Sequence, residues 1–343
     1  MNVFLKRLNN QNTKEIPVWF MRQAGRYMKE YHLVKNKFDD FITMCKNIDA
    51  VTEITLQPIN RFEIDAAIIF SDILILLECL GLKVSFVKGK GPIVDNKDFE
   101  KVIDEFDYNT KLEELSAVYK SIKEVKKELT RVNKPLIGFA GAPWTIATYI
   151  LEGKISKDQI LIKKYAAEKP RNMAKLMKIL SFLVTEHLSN QIDSGVDAVQ
   201  IFESHSNSMD CYLSELYMIN TIKKITKELK ERHAKIPIIF FSKTINYIGN
   251  KDFFNNINCV SLGSNYRMKD LIKLLPNEIC FQGNLDPVKL MVGGSQMIED
   301  TKKIIEDMKG KNFIFNLGHG ILQHTPVKNL EILIEEIKKS KRN

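Results

Sequence analysis

The sequence predicts a single (β/α)8 barrel, and three observations carry that prediction. Eight short apolar runs are near-continuous in hydrophobicity rather than alternating, as strands covered on both faces should be. Helical patterns separate them, which is the order of a parallel α/β sheet. Each run ends in polar or glycine-rich residues, and a closed barrel gathers all such ends on one face. A doubly wound open sheet would concentrate them at one switch-point crevice instead.

Taken in order, the run 18–20 ends at Arg22-Gln23-Ala24-Gly25-Arg26, and the run 66–70 ends at Ser71-Asp72. The run 136–139 leads through Gly141-Ala142 to Pro143-Trp144, with Pro143 suited to the first position of a helix. Runs 198–202 and 236–241 end at Glu203-Ser204-His205 and Ser242-Lys243. Runs 259–262, 279–281 and 313–315 lead to Gly263-Ser264-Asn265, Gln282-Gly283-Asn284-Leu285-Asp286 and Gly318-His319-Gly320. Helical patterns cover 165–193, 214–235 and 296–308. No proline-rich or low-complexity linker divides the chain, so residues 1–343 read as one domain.

Composition narrows the class. Of 343 residues 44% are hydrophobic and 27% charged, the balance of a globular protein with a substantial core. The net charge of +9 admits an acidic partner, but the excess lies in scattered lysines such as those of 123–127 and 338–341, with glutamates nearby. That pattern predicts solvated helix faces and no nucleic-acid footprint. The five cysteines (Cys45, Cys79, Cys211, Cys259, Cys280) form no CxxC pair, and no secretory pattern precedes them. A reducing, cytoplasmic setting is expected. Residues 66–84 are long enough for a membrane span, but they carry Ser71, Asp72 and Glu78. Each carboxylate near a bilayer centre would cost about 2.5–3.5 kcal/mol. This stretch reads as strand, loop and helix, with no membrane partner.

Chemistry concentrates at the strand ends. In Ile16-Pro-Val-Trp-Phe-Met-Arg-Gln-Ala-Gly-Arg-Tyr27 a strand-like run stops at two arginines around an Ala-Gly step. Two guanidiniums beside a glycine suit a polyanionic small molecule; a solvated surface turn is the alternative. Asp72, flanked by Ile73 and Leu74, wants a cation or N–H donors, either as a charge stabiliser or as a helix N-cap. Trp144 and Tyr149 fall in the first two turns of the helix opened by Pro143, Trp144 suiting core packing and Tyr149 a site role. His319 sits between Gly318 and Gly320, which would let the backbone turn and present the imidazole; an ordinary loop histidine is the alternative. No HExxH, CxxC, GxGxxG, Walker or GxSxG motif occurs, and His205 is followed two positions on by Asn207, so no metal site is predicted.

Taken together, PVWFMRQAGRY, FSDILILLECLGL, GFAGAPWTIATYILEG, DAVQIFES, QGNLDP and FNLGHGI closely resemble the uroporphyrinogen decarboxylase family, in its order and spacing, from Pro17 to beyond Ile321. The resemblance implies a (β/α)8 barrel, a homodimer, and no metal or organic cofactor. It implies removal of the four acetate carboxyl groups of uroporphyrinogen III to give coproporphyrinogen III, on the route to haem. Carried over to this sequence, it makes Arg22, Gln23, Ala24, Gly25 and Arg26 a carboxylate-binding segment. Asp72 matches the aspartate that meets the pyrrole N–H groups. Tyr149, Ser204 and His319 match further substrate contacts. Lys35 stands where many relatives carry arginine, which reduces a bidentate contact to a point charge. The loops 242–247 and 261–266 depart from the family pattern, lacking an expected glycine and a Leu-Asp-Trp.

That reaction explains why such residues are needed. A pyrrole acetate loses CO2 only if the electron pair has somewhere to go. Protonating the ring carbon creates an iminium-like cation that accepts it. Fixed negative charge beside the ring nitrogens stabilises that cation, and Asp72 is the candidate. Arg22 and Arg26 suit a substrate with eight carboxylates. Arg22 is also a candidate proton donor, beside water or a substrate carboxyl, although a guanidinium is a very weak acid. Two other readings stand beside this one. A corrinoid methyltransferase of the same barrel type needs a zinc-binding His-x-Cys, absent here. A non-catalytic tetrapyrrole carrier needs the basic rim but no desolvated aspartate.

Overall fold

The computed structural model describes residues 2–87, 89–110 and 112–340; Lys341, the end of the second lysine run, lies outside them. The strands are β1 (Ala67–Ile68), β2 (Val84–Val87), β3 (Gly91–Val94), β4 (Leu136–Gly141), β5 (Ala198–Glu203), β6 (Ile238–Ser242), β7 (Cys259–Leu262), β8 (Cys280–Leu285) and β9 (Phe313–Leu317). A parallel seven-stranded sheet runs β1-β4-β5-β6-β7-β8-β9, and β2 and β3 form a separate antiparallel hairpin. The strands of the large sheet alternate with helices, as the sequence predicts.

The eighth barrel position is held by residues 17–19, where the predicted strand 18–20 is reduced to a single bridge. Val18 makes a single parallel bridge to Phe315, flanked by Phe315 N–H to Pro17 O at 2.8 Å and Trp19 N–H to Phe315 O at 3.4 Å. Toward β1, the Asp65 N–H donates to the Val18 carbonyl at 2.8 Å, while the Asp65 carboxylate accepts the Val18 N–H at 2.9 Å. A side chain thus replaces a rung of the ladder. The strand is short because Pro17 has no N–H and the Phe20–Gln23 turn begins at once.

Three other differences are local. The 165–193 pattern is two helices, Ile160–Glu168 and Pro170–Asp193, broken where Pro170 opens the second. The 214–235 pattern opens with a widened turn, Ser214–Ile219, before the regular helix Asn220–Arg232. Residues 66–84 are β1, a 3-10 helix Ile75–Leu80 stopped by Gly81 at φ 66°, and the start of the hairpin.

Two cores flank the sheet. Inside the barrel, Trp19, Met21, Ile137, Ile239, Phe241 and Ile314 pack with smaller residues, and Phe4 and Leu8 from the helix Val3–Leu8 close the amino-terminal mouth. Between sheet and helices lies a larger core that includes Ile54, Val125, Leu180, Ile225 and Leu333. The interior also holds a polar link. Gln282 accepts the Trp19 indole N–H at 2.8 Å and donates to Gln200 Oε1 at 3.1 Å and Ser261 Oγ at 2.9 Å, while the Gln200 amide nitrogen stays buried without a partner. Lys126, in the first lysine run, is only half-solvated: it reaches Asp197 at 2.6 Å, and Asp197 accepts the Leu136 N–H at the entry to β4.

Candidate active site

Arg22 stands on a strained turn. Its φ is 60°, a left-handed value that a non-glycine residue adopts only when its surroundings impose it. Those surroundings are explicit. The Gln23 N–H donates to the Phe20 carbonyl at 3.1 Å, and the buried Gln23 amide accepts from Phe20 N–H at 3.2 Å and donates to the Ala66 carbonyl at 3.2 Å. Asn316 accepts the Met21 N–H at 3.1 Å, and the Ile321 N–H donates to the Met21 carbonyl at 2.9 Å. Gln23 therefore fixes the turn, its side chain spent on the backbone. Ala24 and Gly25 are half-buried beside it.

Asp72 lies four residues beyond β1, half-buried at the mouth. Its carboxylate accepts the Leu74 N–H at 2.8 Å, an Asx turn rather than a helix cap, because the following 3-10 helix begins only at Ile75. Burial raises the Asp72 pKa, and the Leu74 N–H and the positive field of Arg22 oppose that rise. The Ser71 hydroxyl beside it is buried without a partner.

Tyr149 rides on the helix Pro143–Glu152, whose first position is Pro143 as predicted. Burial and the neighbouring Asp72 charge push its phenol to about 12, with Arg22 working the other way. Its ring meets His205 edge-on at 4.9 Å. Trp144 belongs to the core, stacked on Tyr217 at 5.9 Å. His319 packs edge-on against Phe241 at 6.0 Å, and burial together with Arg22 depresses it to about 3. It is neutral at physiological pH.

The glycines around His319 serve clearance, and neither has positive φ. A Cβ on Gly320 would strike the Arg22 stem, with Cγ only 2.6 Å away, and one on Gly318 would meet the Ser264 backbone, with Cα at 2.9 Å. The chain bends at Gly318-His319 as expected, and the two glycines also permit close approach of the Ser264 and Arg22 segments.

Arg22, Asp72, Tyr149 and His319 thus share one electrostatic neighbourhood. Ser204 flanks it: its N–H donates to the Thr145 hydroxyl at 2.9 Å. Arg26 is exposed at the rim, its field reaching Tyr31 and its carbonyl bonded to His32 at 2.8 Å. Lys35 is exposed at the end of the helix Lys29–Lys35. The two divergent loops are well anchored. Asn284 donates to Gly263 and Tyr266 carbonyls at 3.0 and 2.7 Å, and Ser242 Oγ accepts the Thr244 N–H at 3.2 Å.

Three residues belong to this neighbourhood without having been assigned a role from sequence: Glu203, His205 and Lys243. Glu203 is fully buried. One carboxylate oxygen accepts from Thr145 Oγ1 at 2.6 Å and His205 N–H at 3.0 Å, while the other has no partner. Burial pushes its pKa to about 7, against the lowering effect of those donors and of Lys243. Burial and Lys243 hold His205 at about 4. The available signal was the one that singled out Asp72, a titratable side chain closing an apolar strand. Among the described residues no group of three or more His, Cys, Asp or Glu gathers to hold a metal.

The uroporphyrinogen decarboxylase (URO-D) family model matches residues 1–340. A uroporphyrinogen decarboxylase of Rickettsia canadensis (strain McKiel) is 41% identical over 339 residues, covering 96% of this chain and 97% of its own. That of Rickettsia massiliae (strain Mtu5) is 42% identical over 333 residues, covering 95% and 94%. Among solved structures, a methyltransferase from Methanosarcina mazei superposes with TM-score 0.78 at 15% identity, covering 98% of this chain and 97% of the other. A B12-independent methionine synthase from Shewanella sp. W3-18-1 gives TM-score 0.52 at 11% identity, covering 85% and 86%. At such identities the last two share the fold alone.

Proposed function

The chain belongs to the uroporphyrinogen decarboxylase family, and we propose that it carries out that reaction: removal of the four acetate carboxyl groups of uroporphyrinogen III, giving coproporphyrinogen III for haem biosynthesis. It is a carboxy-lyase acting on a small molecule. The observation that carries the assignment of roles is the recessed Asp72 carboxylate, at the carboxyl end of β1 and within the field of Arg22.

Protonation of the α ring carbon, between the nitrogen and the carbon bearing the acetate, leaves the latter conjugated to an iminium and spreads positive charge over the ring nitrogen. Asp72, held by the Leu74 N–H, supplies preoriented negative charge where that cation develops, so no solvent need reorganise during the step. The bond from methylene to carboxyl breaks, CO2 leaves, and the electron pair neutralises the iminium. Reprotonation of the new exocyclic methylene gives methyl, and loss of the proton first added to the ring carbon restores the aromatic pyrrole. The electron sink is the substrate itself, so the sequence of steps calls on no metal or organic cofactor. Tyr149 and His319, both neutral at physiological pH, offer hydrogen bonds without adding charge beside Asp72. Arg22 and Arg26 hold carboxylates, and Arg22 is also a candidate proton donor to the ring carbon, beside water or a substrate carboxyl. Gln23, Ala24 and Gly25 shape the segment between them, and Ser204 completes the substrate contacts.

The larger core, continuous from Ile16 to Ile337, supports one domain over the whole chain. A homodimer is taken from the family, and a cytoplasmic setting from the unpaired cysteines; among the described residues no helix is long and apolar enough to cross a membrane. The test is anaerobic incubation of purified protein with uroporphyrinogen III, resolving products by carboxyl number. Stepwise descent from eight to four carboxyl groups supports the assignment. Binding without loss of CO2 would leave a carrier in its place.

A further inference from the structure

A second cation stands in the mouth beside Arg22, and none of the steps above uses it. Lys243 is the first residue beyond β6, and the pairing of Glu203 with Ser242 sets it just past the end of both strands. Its backbone is held on several sides. Ser242 Oγ bonds Ser206 Oγ at 2.9 Å and accepts the Thr244 N–H at 3.2 Å. Gly263, on the loop after β7, lies so close that an added Cβ would sit 3.4 Å from the Lys243 Cα. The Lys243 side chain is half-buried, yet its ammonium makes no hydrogen bond or ion pair among the described residues. Arg22 is likewise unpaired among them. The two cations repel each other, and Lys243 is countered by Glu203, which lies more than hydrogen-bond distance away. An exposed arginine and a half-buried lysine, close enough to repel and neither hydrogen-bonded to a carboxylate, form a seat that a substrate carboxylate would fill.

We infer that Lys243 determines how substrate is oriented, forming with Arg22 a two-cation seat for a carboxylate arm that survives the reaction, a propionate beside the reacting acetate. This rests on the decarboxylase reading. The choice of a retained arm follows from the chemistry. A carboxylate leaving as CO2 loses its charge in the transition state, so a cation gripping it would stabilise the ground state more and slow the step. A propionate keeps its charge throughout, so gripping it strengthens substrate and transition state alike. Such a contact lowers KM, fixes which acetate faces Asp72, and persists in the product.

The experiment compares wild type, Lys243→Met and Lys243→Arg in two anaerobic measurements: equilibrium binding of coproporphyrinogen, and steady-state kinetics with uroporphyrinogen. Lys243→Met should weaken product binding about tenfold and raise KM alike, with kcat changed by less than about threefold. Lys243→Arg should recover most of the loss. Unchanged product affinity in Lys243→Met would overturn the proposal, and so would a rise in kcat, which would put the lysine on the departing carboxylate. If wild type converts no uroporphyrinogen, the decarboxylase reading falls on that result alone. The coproporphyrinogen comparison still decides whether Lys243 grips a propionate.

Discussion

Glu203→Gln should change how stability depends on pH, because the wild-type carboxyl is buried with one oxygen unpartnered. Its folded-state pKa, raised from 4.5 to about 7, means the folded protein holds this proton over a range where the unfolded chain has released it. The favourable contribution of the neutral form is full below about pH 4.5 and is lost as pH rises through about 7. At about 1.4 kcal/mol per pH unit, the gap corresponds to roughly 3 kcal/mol. Gln keeps an oxygen for Thr145 and the His205 N–H but carries no charge to bury. The stability of Glu203→Gln minus that of wild type should therefore rise by up to about 3 kcal/mol between pH 4.5 and 7 and then level off. The assay is urea unfolding of both proteins across that range. Taking the difference cancels the depressed histidines His187, His205 and His319, whose contributions run in the opposite direction with pH. A difference that stays flat would refute the idea that burial governs Glu203.

Gly320→Ala should leave the fold within about 1 kcal/mol, since the flexible Arg22 stem can yield, yet weaken substrate binding as Arg22 is displaced; unchanged KM would detach the glycine from the site. Arg26→Lys keeps the rim charge but loses the planar fork, so substrate affinity should fall by about 1–3 kcal/mol at low salt, and equal affinities would return Arg26 to a solvated turn. Gln282→Leu strands the Trp19 indole N–H and the Gln200 and Ser261 side chains inside the barrel. It should cost about 3 kcal/mol or more by denaturant unfolding, and a near-neutral result would mean the interior link is dispensable.

The parallel strands were legible because both faces of each are buried, which leaves an unbroken apolar run such as 136–141. Residues 17–19 were harder. Their apolar pattern says strand, but the ladder there is carried partly by the Asp65 side chain, a distant contact that no local pattern encodes. The hairpin β2–β3 has half-exposed strands of four residues and lacks the hydrophobic density of the barrel. The break at Pro170 was readable from proline alone, whereas the widened turn at Ser214–Ile219 carries no such marker. In the site, Arg22, Asp72 and His319 stood out as polar groups after apolar runs and Tyr149 as a hydroxyl early in the Pro143 helix, and they share one electrostatic neighbourhood. Gln23 was grouped with them by sequence adjacency, while its side chain is turned into the backbone. Gly318 and Gly320 read as turn glycines, and sequence alone hides the neighbour that occupies each missing Cβ's place.

The measurement that reaches the centre of the account is single-turnover decarboxylation of uroporphyrinogen III by wild type and Asp72→Asn under anaerobic conditions. Asn preserves shape and can still accept the Leu74 N–H through its amide oxygen, but it places no charge against the developing pyrrole cation. The rate of CO2 loss should fall at least about 100-fold, with the unfolding midpoint nearly unchanged. A rate within about threefold of wild type would contradict that expectation.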